Sequence, residues 1–182
     1  MRKAMLASTI VLGLAAAAYA QDTASKAHRS SGSADLTFVL DAAKGGMAEV
    51  ELGQLAADKA SSDDVKKFGQ RMVTDHSKAN DELKTLAQSK NITLPTAIDA
   101  KDKATHDRLA KLSGPAFDRA YMAHMVTDHR KDVNEFKKET TAGKDPDVKS
   151  WASKTLPTLE EHLKMAQDTD KAVGTSGVKS KK

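Results

Sequence analysis

Apolar residues recur every three or four positions between residues 35 and 169, and polar residues fill the intervening positions. That spacing is typical of amphipathic helices, and no stretch alternates apolar and polar residues as a strand would. Turn-forming residues interrupt the pattern at 61–62, 91–96, 113–114 and 143–146. The pattern predicts helices over residues 35–60, 63–89, 97–112, 115–141 and 147–169. Pro157 lies inside the last of them and predicts a kink.

Four of these predicted helices are long and one is short. The loop between the first two is very short, so these helices should be antiparallel, and the small residues of the first should allow a close neighbour. The short helix lies in the long connection between the second and third long helices. The sequence therefore predicts an all-α fold, a ferritin-like four-helix bundle with a short extra helix in the crossover.

The two ends of the chain differ from this central domain. Residues 1–20 combine Arg2 and Lys3, an apolar run and a small residue at Ala20, which predicts a secretory signal cleaved after Ala20 and a periplasmic or secreted protein. The apolar run is too short for a stable membrane span. Residues 21–34 and 170–182 are rich in Ser, Gly and Lys, so we expect disordered tails around a domain of residues 35–169.

The amino-acid composition excludes several kinds of site and partner. The chain has no cysteine, which excludes disulfides, thiolate metal sites and cysteine nucleophiles. Its 29 basic residues fall to 27 when Arg2 and Lys3 leave with the signal, against 25 acidic residues, and the two signs are mixed along the chain. A nucleic-acid partner is not expected, because such proteins cluster basic residues on one face.

One internal repeat is clear. The segment MVTDHSKANDELK at residues 72–84 matches MVTDHRKDVNEFK at residues 125–137. The match suggests that the two halves of the bundle arose by duplication. A bundle built in this way tends to place equivalent residues around a common centre.

Each long helix has one ionisable residue on its apolar stripe when 100° is counted per residue. The four residues are Glu49, His76, His129 and His162. They fall near the middle of their helices, so they should meet at one level. One Glu with three His is a suitable ligand set for a single transition-metal ion, Zn, Fe, Cu or Ni. Asp75 and Asp128 each precede a histidine and are candidates for carboxylates that support the ligands.

Two other interpretations accompany this one. The same four residues could form a buried Glu and His network without metal. Met72, Met125 and Met165 lie one turn from the histidines and could extend a copper site, although we favour core packing for them.

His28, His106 and His124 lie off the stripes and are expected at the surface. The sequence contains neither a G-x-S-x-G element nor a glycine-rich phosphate loop.

Several of these segments together resemble a known family. They are GMAEVE ending at Glu51, the two MVTDH segments, GPAFDRAY ending at Tyr121, and LPTL followed by His162. The joint pattern is similar to domain of unknown function family 4142, over residues 35–166. The resemblance implies an exported bacterial protein with a ferritin-like bundle, and it implies no particular reaction.

The sequence differs from the di-iron ferritin-like proteins in one motif. Di-iron members carry Glu-x-x-His on two helices, whereas Val73, Val126 and Leu159 stand three positions before the histidines. Our leading hypothesis is therefore an exported bundle that binds one transition-metal ion, for storage or in envelope stress. The alternatives are a structural or partner-binding envelope protein and, third, a metal-dependent oxidoreductase.

Overall fold

The structure is a computed structural model that describes residues 32–176. Within that range it contains five α-helices and no strand. They are α1 (Gly32–Lys59), α2 (Asp63–Ser89), α3 (Ala100–Ala110), α4 (Gly114–Ala142) and α5 (Pro146–Ser176). The predicted all-α class is confirmed. The predicted signal, residues 1–20, and the outer parts of both predicted tails lie outside the described residues.

The first and last helices extend beyond the predicted domain limits of 35 and 169. Near the start of α1, Asp35 is buried and its carboxylate accepts hydrogen bonds from the backbone N–H groups of Lys144 and Asp145. Near the end of α5, Val173 is buried in the core. Both segments are helical because a side chain in each is held by the rest of the bundle.

The core consists of two apolar clusters at opposite ends of the bundle. The Tyr121 cluster contains Leu52, Ala56, Ala60, Val65, Phe68, Met72, Leu109, Phe117, Tyr121, Met122, Met125, Ala166 and Val173. The Trp151 cluster contains Val39, Ala43, Leu83, Val133, Phe136, Val148, Trp151, Ala152 and Leu159. Every long helix contributes to both clusters, so each one spans the full length of the core.

The order of the clusters along each helix gives its direction. Helices α1 and α5 run from the Trp151 cluster to the Tyr121 cluster, and α2 and α4 run the opposite way. Because α2 and α4 are parallel, residues 90–113 must return the chain to the starting end. Ile92 in this connection packs against the Trp151 cluster and Leu109 of α3 lies in the Tyr121 cluster. This is the predicted crossover with its short helix.

The long helices associate as two antiparallel pairs. Helices α1 and α2 form one pair, α4 and α5 form the other, and the pairs meet along α2–α5 and α1–α4. The first pair is very close at Gly53 and Gly69, since a Cβ on Gly69 would lie 2.6 Å from the Gly53 carbonyl oxygen. The small residues of α1 therefore allow the close neighbour that the sequence predicts. Helix α5 continues through Pro157.

The outer faces of the helices are charged. Ion pairs one turn apart, such as Lys103–Asp107 at 2.7 Å and Lys164–Asp168 at 2.7 Å, lie on these faces. Leu36 is the one large apolar side chain that is exposed among the described residues. None of the described helices combines the length and the apolar character needed to cross a bilayer.

Candidate metal centre

A layer of four ionisable side chains separates the two apolar clusters. Glu49 of α1, His129 of α4 and His162 of α5 are 0% exposed, and His76 of α2 is 6% exposed. On every long helix the layer residue stands between residues of the Tyr121 cluster and residues of the Trp151 cluster. The four residues that the sequence predicts to point inward are thus all buried in the bundle. We call them the polar layer.

The three histidines of the polar layer face one another. Their ring centroids are 5.8 Å apart for His76 and His129, 5.3 Å for His76 and His162, and 5.4 Å for His129 and His162. One ring nitrogen of each lies within 4.8 Å of one ring nitrogen of the other two. An ion bound about 2 Å from three nitrogens holds them about 3.5 Å apart. These ring nitrogens of the histidine group lie within 4.8 Å of one another, so a bound ion would draw them closer together.

Hydrogen bonds on the far side of two rings determine which nitrogen is free. His129 Nδ1 donates to the carbonyl oxygen of Met125 at 3.1 Å, and His162 Nε2 donates to Asp75 Oδ2 at 2.8 Å. Three buried ring nitrogens have no hydrogen-bond partner in the described part of the chain: His76 Nε2, His129 Nε2 and His162 Nδ1. His129 and His162 thus each present a buried lone pair, and His76 Nε2 is a third buried nitrogen without a partner.

Burial keeps these three rings neutral. It lowers the pKa of His76 well below the usual value, and His129 and His162 lower it further. It also lowers the pKa of His129 to about 4. For His162 burial again lowers the pKa, although the hydrogen bond with Asp75 opposes the shift. A neutral imidazole is the form that binds metal ions, so the group is in its ligand form at neutral pH.

Asp75 has the supporting position that the sequence suggested for it. Its carboxylate accepts from His162 and also pairs with Arg71 one turn earlier on α2. Burial alone would raise the pKa of Asp75, but the hydrogen bonds from Arg71 and His162 lower it. Ligand histidines are commonly oriented by a carboxylate on the second nitrogen in this manner.

Glu49 lies at the edge of the histidine group. Its Oε1 is 3.6 Å from His129 Nδ1, the nitrogen bonded to the Met125 carbonyl oxygen. Its carboxylate instead lies with those of Asp128 and Asp132, with ligand oxygens within 4.8 Å of one another. Burial raises the pKa of Glu49 well above the usual value, and Asp128 and Asp132 raise it further. The four candidate ligands are therefore arranged as a histidine group and an adjoining carboxylate group of Glu49, Asp128 and Asp132.

Sequence reasoning missed Asp132 as a member of this carboxylate group. It stands one helical turn after Asp128, so both carboxylates lie on one face of α4, and this spacing was the available signal. The repeat concealed it, because the equivalent position in α2 is Ala79. Burial, followed by the nearby Asp128, raises the pKa of Asp132 to about 7.

The polar layer has approximate two-fold symmetry. A two-fold axis along the bundle carries α2 onto α4 and α5 onto α1, since each of these pairs is parallel. It relates His76 to His129 and Asp75 to Asp128, as the repeat implies. It also relates His162, which contacts Asp75, to Glu49, which lies beside Asp128. The repeat thus places its equivalent residues around a common centre.

Other candidates from the sequence have separate positions. Met72 and Met125 are buried in the Tyr121 cluster and Met165 packs against it, in agreement with core packing. His106 is partly exposed beside Asp107. His124 is likewise partly exposed, and it lines a cavity of about 250 Å³. That cavity also reaches His76, Asp128 and Asp132.

Comparison with solved structures shows a shared fold. A DUF305 fragment from Deinococcus radiodurans is 12% identical, with a TM-score of 0.66 over 79% of this chain and 97% of that chain. A DUF305 protein from Streptomyces coelicolor is 15% identical, with a TM-score of 0.66 over 79% and 96%. CopM in its Cu(II)-bound form is 17% identical, with a TM-score of 0.64 over 76% and 96%. At these identities the likeness establishes the helical fold.

Sequence comparison identifies the family. No curated protein sequence matches the chain. The family model described as "Domain of unknown function (DUF4142)" matches residues 18–169, which include the whole polar layer and both copies of the repeat. The match agrees with the resemblance carried by the MVTDH segments. The chain therefore belongs to the DUF4142 family.

Proposed function

We propose that this protein binds one copper ion through His76, His129 and His162 and holds copper in the bacterial envelope, for storage or under metal stress. The observation that carries the proposal is the set of three buried imidazole nitrogens that lack hydrogen-bond partners and belong to rings facing one another. The predicted secretory signal supports a role outside the cytoplasm.

The arrangement favours a metal ion over a network of hydrogen bonds. Neutral rings whose free nitrogens converge can share few protons, and leaving buried polar atoms unsatisfied costs about 1–3 kcal/mol each. A metal ion accepts all three lone pairs at once. Asp75 and the Met125 carbonyl oxygen hold the second nitrogens of two rings, which leaves the other nitrogen of each ring available to an ion.

Two considerations favour copper among the metals that accept imidazole. Three nitrogen ligands suit Cu, Zn, Fe and Ni, so the donor set alone does not select one. CopM, which shares the fold, has been solved in Cu(II)-bound, Cu(I)-bound and Ag-bound forms. With no thiolate in the chain, the histidines are the strongest copper donors buried together among the described residues.

The test is copper binding to the mature protein after treatment with a chelator. Copper content is measured by elemental mass spectrometry and affinity by competition with a chromophoric chelator, for the wild type, His129→Ala, His162→Ala and the control His106→Ala. We expect about one equivalent in the wild type and in the control. Each variant of the histidine group should lose at least tenfold in affinity, because a ligand is removed.

Three results would contradict the proposal. Wild-type protein that takes up no copper would leave a metal-free polar network as the better description of the layer. Equal copper binding by all four proteins would assign the ion to other histidines. If the protein takes up Zn in preference to copper and the same variants are affected, the histidine group is the metal site but its ion is Zn.

A further inference from the structure

The carboxylate group lies beside the histidine group, on the side of His129 that faces Glu49. Glu49 is 0% exposed, and neither of its oxygens has a hydrogen-bond partner among the described residues. Its side chain is directed at Asp128 and Asp132, since the three carboxylates present oxygens within 4.8 Å of one another. A buried carboxylate without donors is costly to a fold, and either a proton shared with a neighbouring carboxylate or a bound cation offsets that cost.

The first copy of the repeat, on α2, shows which groups neutralise a carboxylate at the position of Asp128. Asp75, the equivalent of Asp128, is paired with Arg71 and accepts a hydrogen bond from His162. The position on α4 that corresponds to Arg71 is occupied by His124. The two-fold axis places Glu49 where the first half has His162. Both groups that neutralise the first aspartate are therefore absent around the second.

A further acidic residue makes the surroundings of Asp128 on α4 still more negative than those of Asp75 on α2. Asp132 stands where α2 has Ala79, which adds a further acid on the α4 side. The nearest lysine, Lys131, lies 3.8 Å from Asp132 Oδ1 but is closer, at 3.1 Å, to Glu135 Oε2. That lysine is more than half exposed, so water screens much of its charge.

A cavity reaches two of the three carboxylates, so a cation can enter beside Asp128 and Asp132. Its volume is about 250 Å³, and both Asp128 and Asp132 line it. The other charged residues on its wall are Asp41, Asp99, Asp102 and Glu135 with Lys44, Lys101 and Lys131. The wall is therefore predominantly acidic and attracts cations. The volume also leaves room for water molecules on an ion.

We propose that Glu49, Asp128 and Asp132 form a second cation site, which takes a hard divalent cation such as Mn²⁺ and completes its coordination with water. Carboxylate oxygens and water are the ligands that Mn²⁺, Mg²⁺ and Ca²⁺ prefer, whereas three imidazoles favour later transition metals. The protein therefore separates two classes of metal ion at adjoining sites. The proposal does not rest on copper binding to the histidine group.

Mn²⁺ binding tests the second site directly. The signal of free Mn²⁺ in electron paramagnetic resonance falls when the ion binds, so a titration of metal-free mature protein gives both stoichiometry and affinity. We expect about one equivalent in the wild type. Asp132→Asn and Asp128→Asn should each weaken binding at least tenfold, because each removes a charged ligand. Asp81→Asn, an exposed aspartate on α2, makes the same change in charge away from the site and should bind as the wild type does.

The histidine variants separate this site from the proposed copper site. His162→Ala should lose copper affinity and keep Mn²⁺ affinity. Asp132→Asn should keep copper affinity and lose Mn²⁺ affinity. Far-ultraviolet circular dichroism checks that each variant is folded, and the two aspartate variants serve as independent tests if one of them is not. Competition by Mg²⁺ or Ca²⁺ shows which hard cation the site prefers. Absence of Mn²⁺ binding in the wild type, or equal weakening by Asp81→Asn, would overturn the second site and leave the copper proposal untouched.

Discussion

At the level of single residues, the free nitrogen of a ligand histidine depends on the bond made by its other nitrogen. His162 gives Nε2–H to Asp75 and keeps Nδ1 free, whereas His129 gives Nδ1–H to a backbone carbonyl oxygen and keeps Nε2 free. The same side chain therefore offers a different atom on α4 and on α5. Asp75 is the carboxylate that accepts from His162, and Arg71 pairs with it.

Removing Asp75 should weaken copper binding without removing a ligand. Asp75→Ala leaves His162 free to turn and to adopt either tautomer, so we expect affinity to fall by about 10- to 100-fold. Asp75→Asn retains a hydrogen-bond acceptor, so its copper affinity should fall less. Competition titration with a chromophoric chelator measures both values. Asp81→Ala provides the control, and an effect of that variant as large as that of Asp75→Ala would rule out a specific role for the Asp75–His162 hydrogen bond.

At the level of helices, the contact between α1 and α2 depends on two glycines. A Cβ on Gly69 would lie 2.6 Å from the Gly53 carbonyl oxygen and 2.8 Å from the Ala56 Cβ. Backbone atoms cannot move aside as a flexible side chain can. The two helices would have to separate, and His76 on α2 would move relative to Glu49 on α1.

Alanine substitutions at two glycines should therefore have opposite effects. Gly69→Ala should destabilise the protein by about 3 kcal/mol, because the added methyl group overlaps backbone. Gly45→Ala adds a methyl group with no atom within 4 Å and should stabilise by about 0.5–1 kcal/mol, since alanine is the better helix former. Urea unfolding followed by circular dichroism gives both free energies. Similar values for the two variants would refute the close contact between α1 and α2.

At the level of the whole molecule, the polar layer divides one core into two. Each apolar cluster is built from all four long helices, so the layer is enclosed at both ends by packed side chains. The bundle is thus a rigid support for ligands from different helices. The carboxylates of Glu49, Asp128 and Asp132 are held close to one another as a result, and this proximity couples the stability of the fold to pH.

The pH dependence of stability should reveal that coupling. The folded pKa of Asp132 is raised to about 7 from 3.8, so the folded state keeps a proton that the unfolded state has lost. The wild type should therefore lose stability from this group as the pH rises from about 4 to about 7, and Asp132→Asn avoids the loss. We expect the metal-free variant to match the wild type near pH 4 and to exceed it in free energy of unfolding by about 4 kcal/mol at pH 8, because the pKa of Asp132 is raised by about three units and each unit corresponds to about 1.4 kcal/mol.

Chemical unfolding of both proteins at a series of pH values, with a chelator present, measures this difference. The buried histidines also titrate in this range, but they are common to both proteins and cancel in the comparison. A difference in stability that does not vary with pH would contradict the raised pKa of Asp132.

Hydrophobic periodicity alone determined the helices and the inward residues of this protein. Apolar side chains every three or four positions force a helix to bury one face, so Glu49, His76, His129 and His162 had to enter the core with their neighbours. The family followed from the local MVTDH segments. These features depend on short stretches of chain, and for that reason the sequence specified them.

Only the tertiary structure decided how the layer is partitioned. The distances between side chains on different helices depend on the pairing of α1 with α2 and on the register of α5 against α2, which no local pattern encodes. That packing brought Asp75 to His162, moved Glu49 to the edge of the histidine group and joined it to Asp128 and Asp132. It also extended α5 beyond residue 169, because Val173 finds a place in the core only once the bundle has formed.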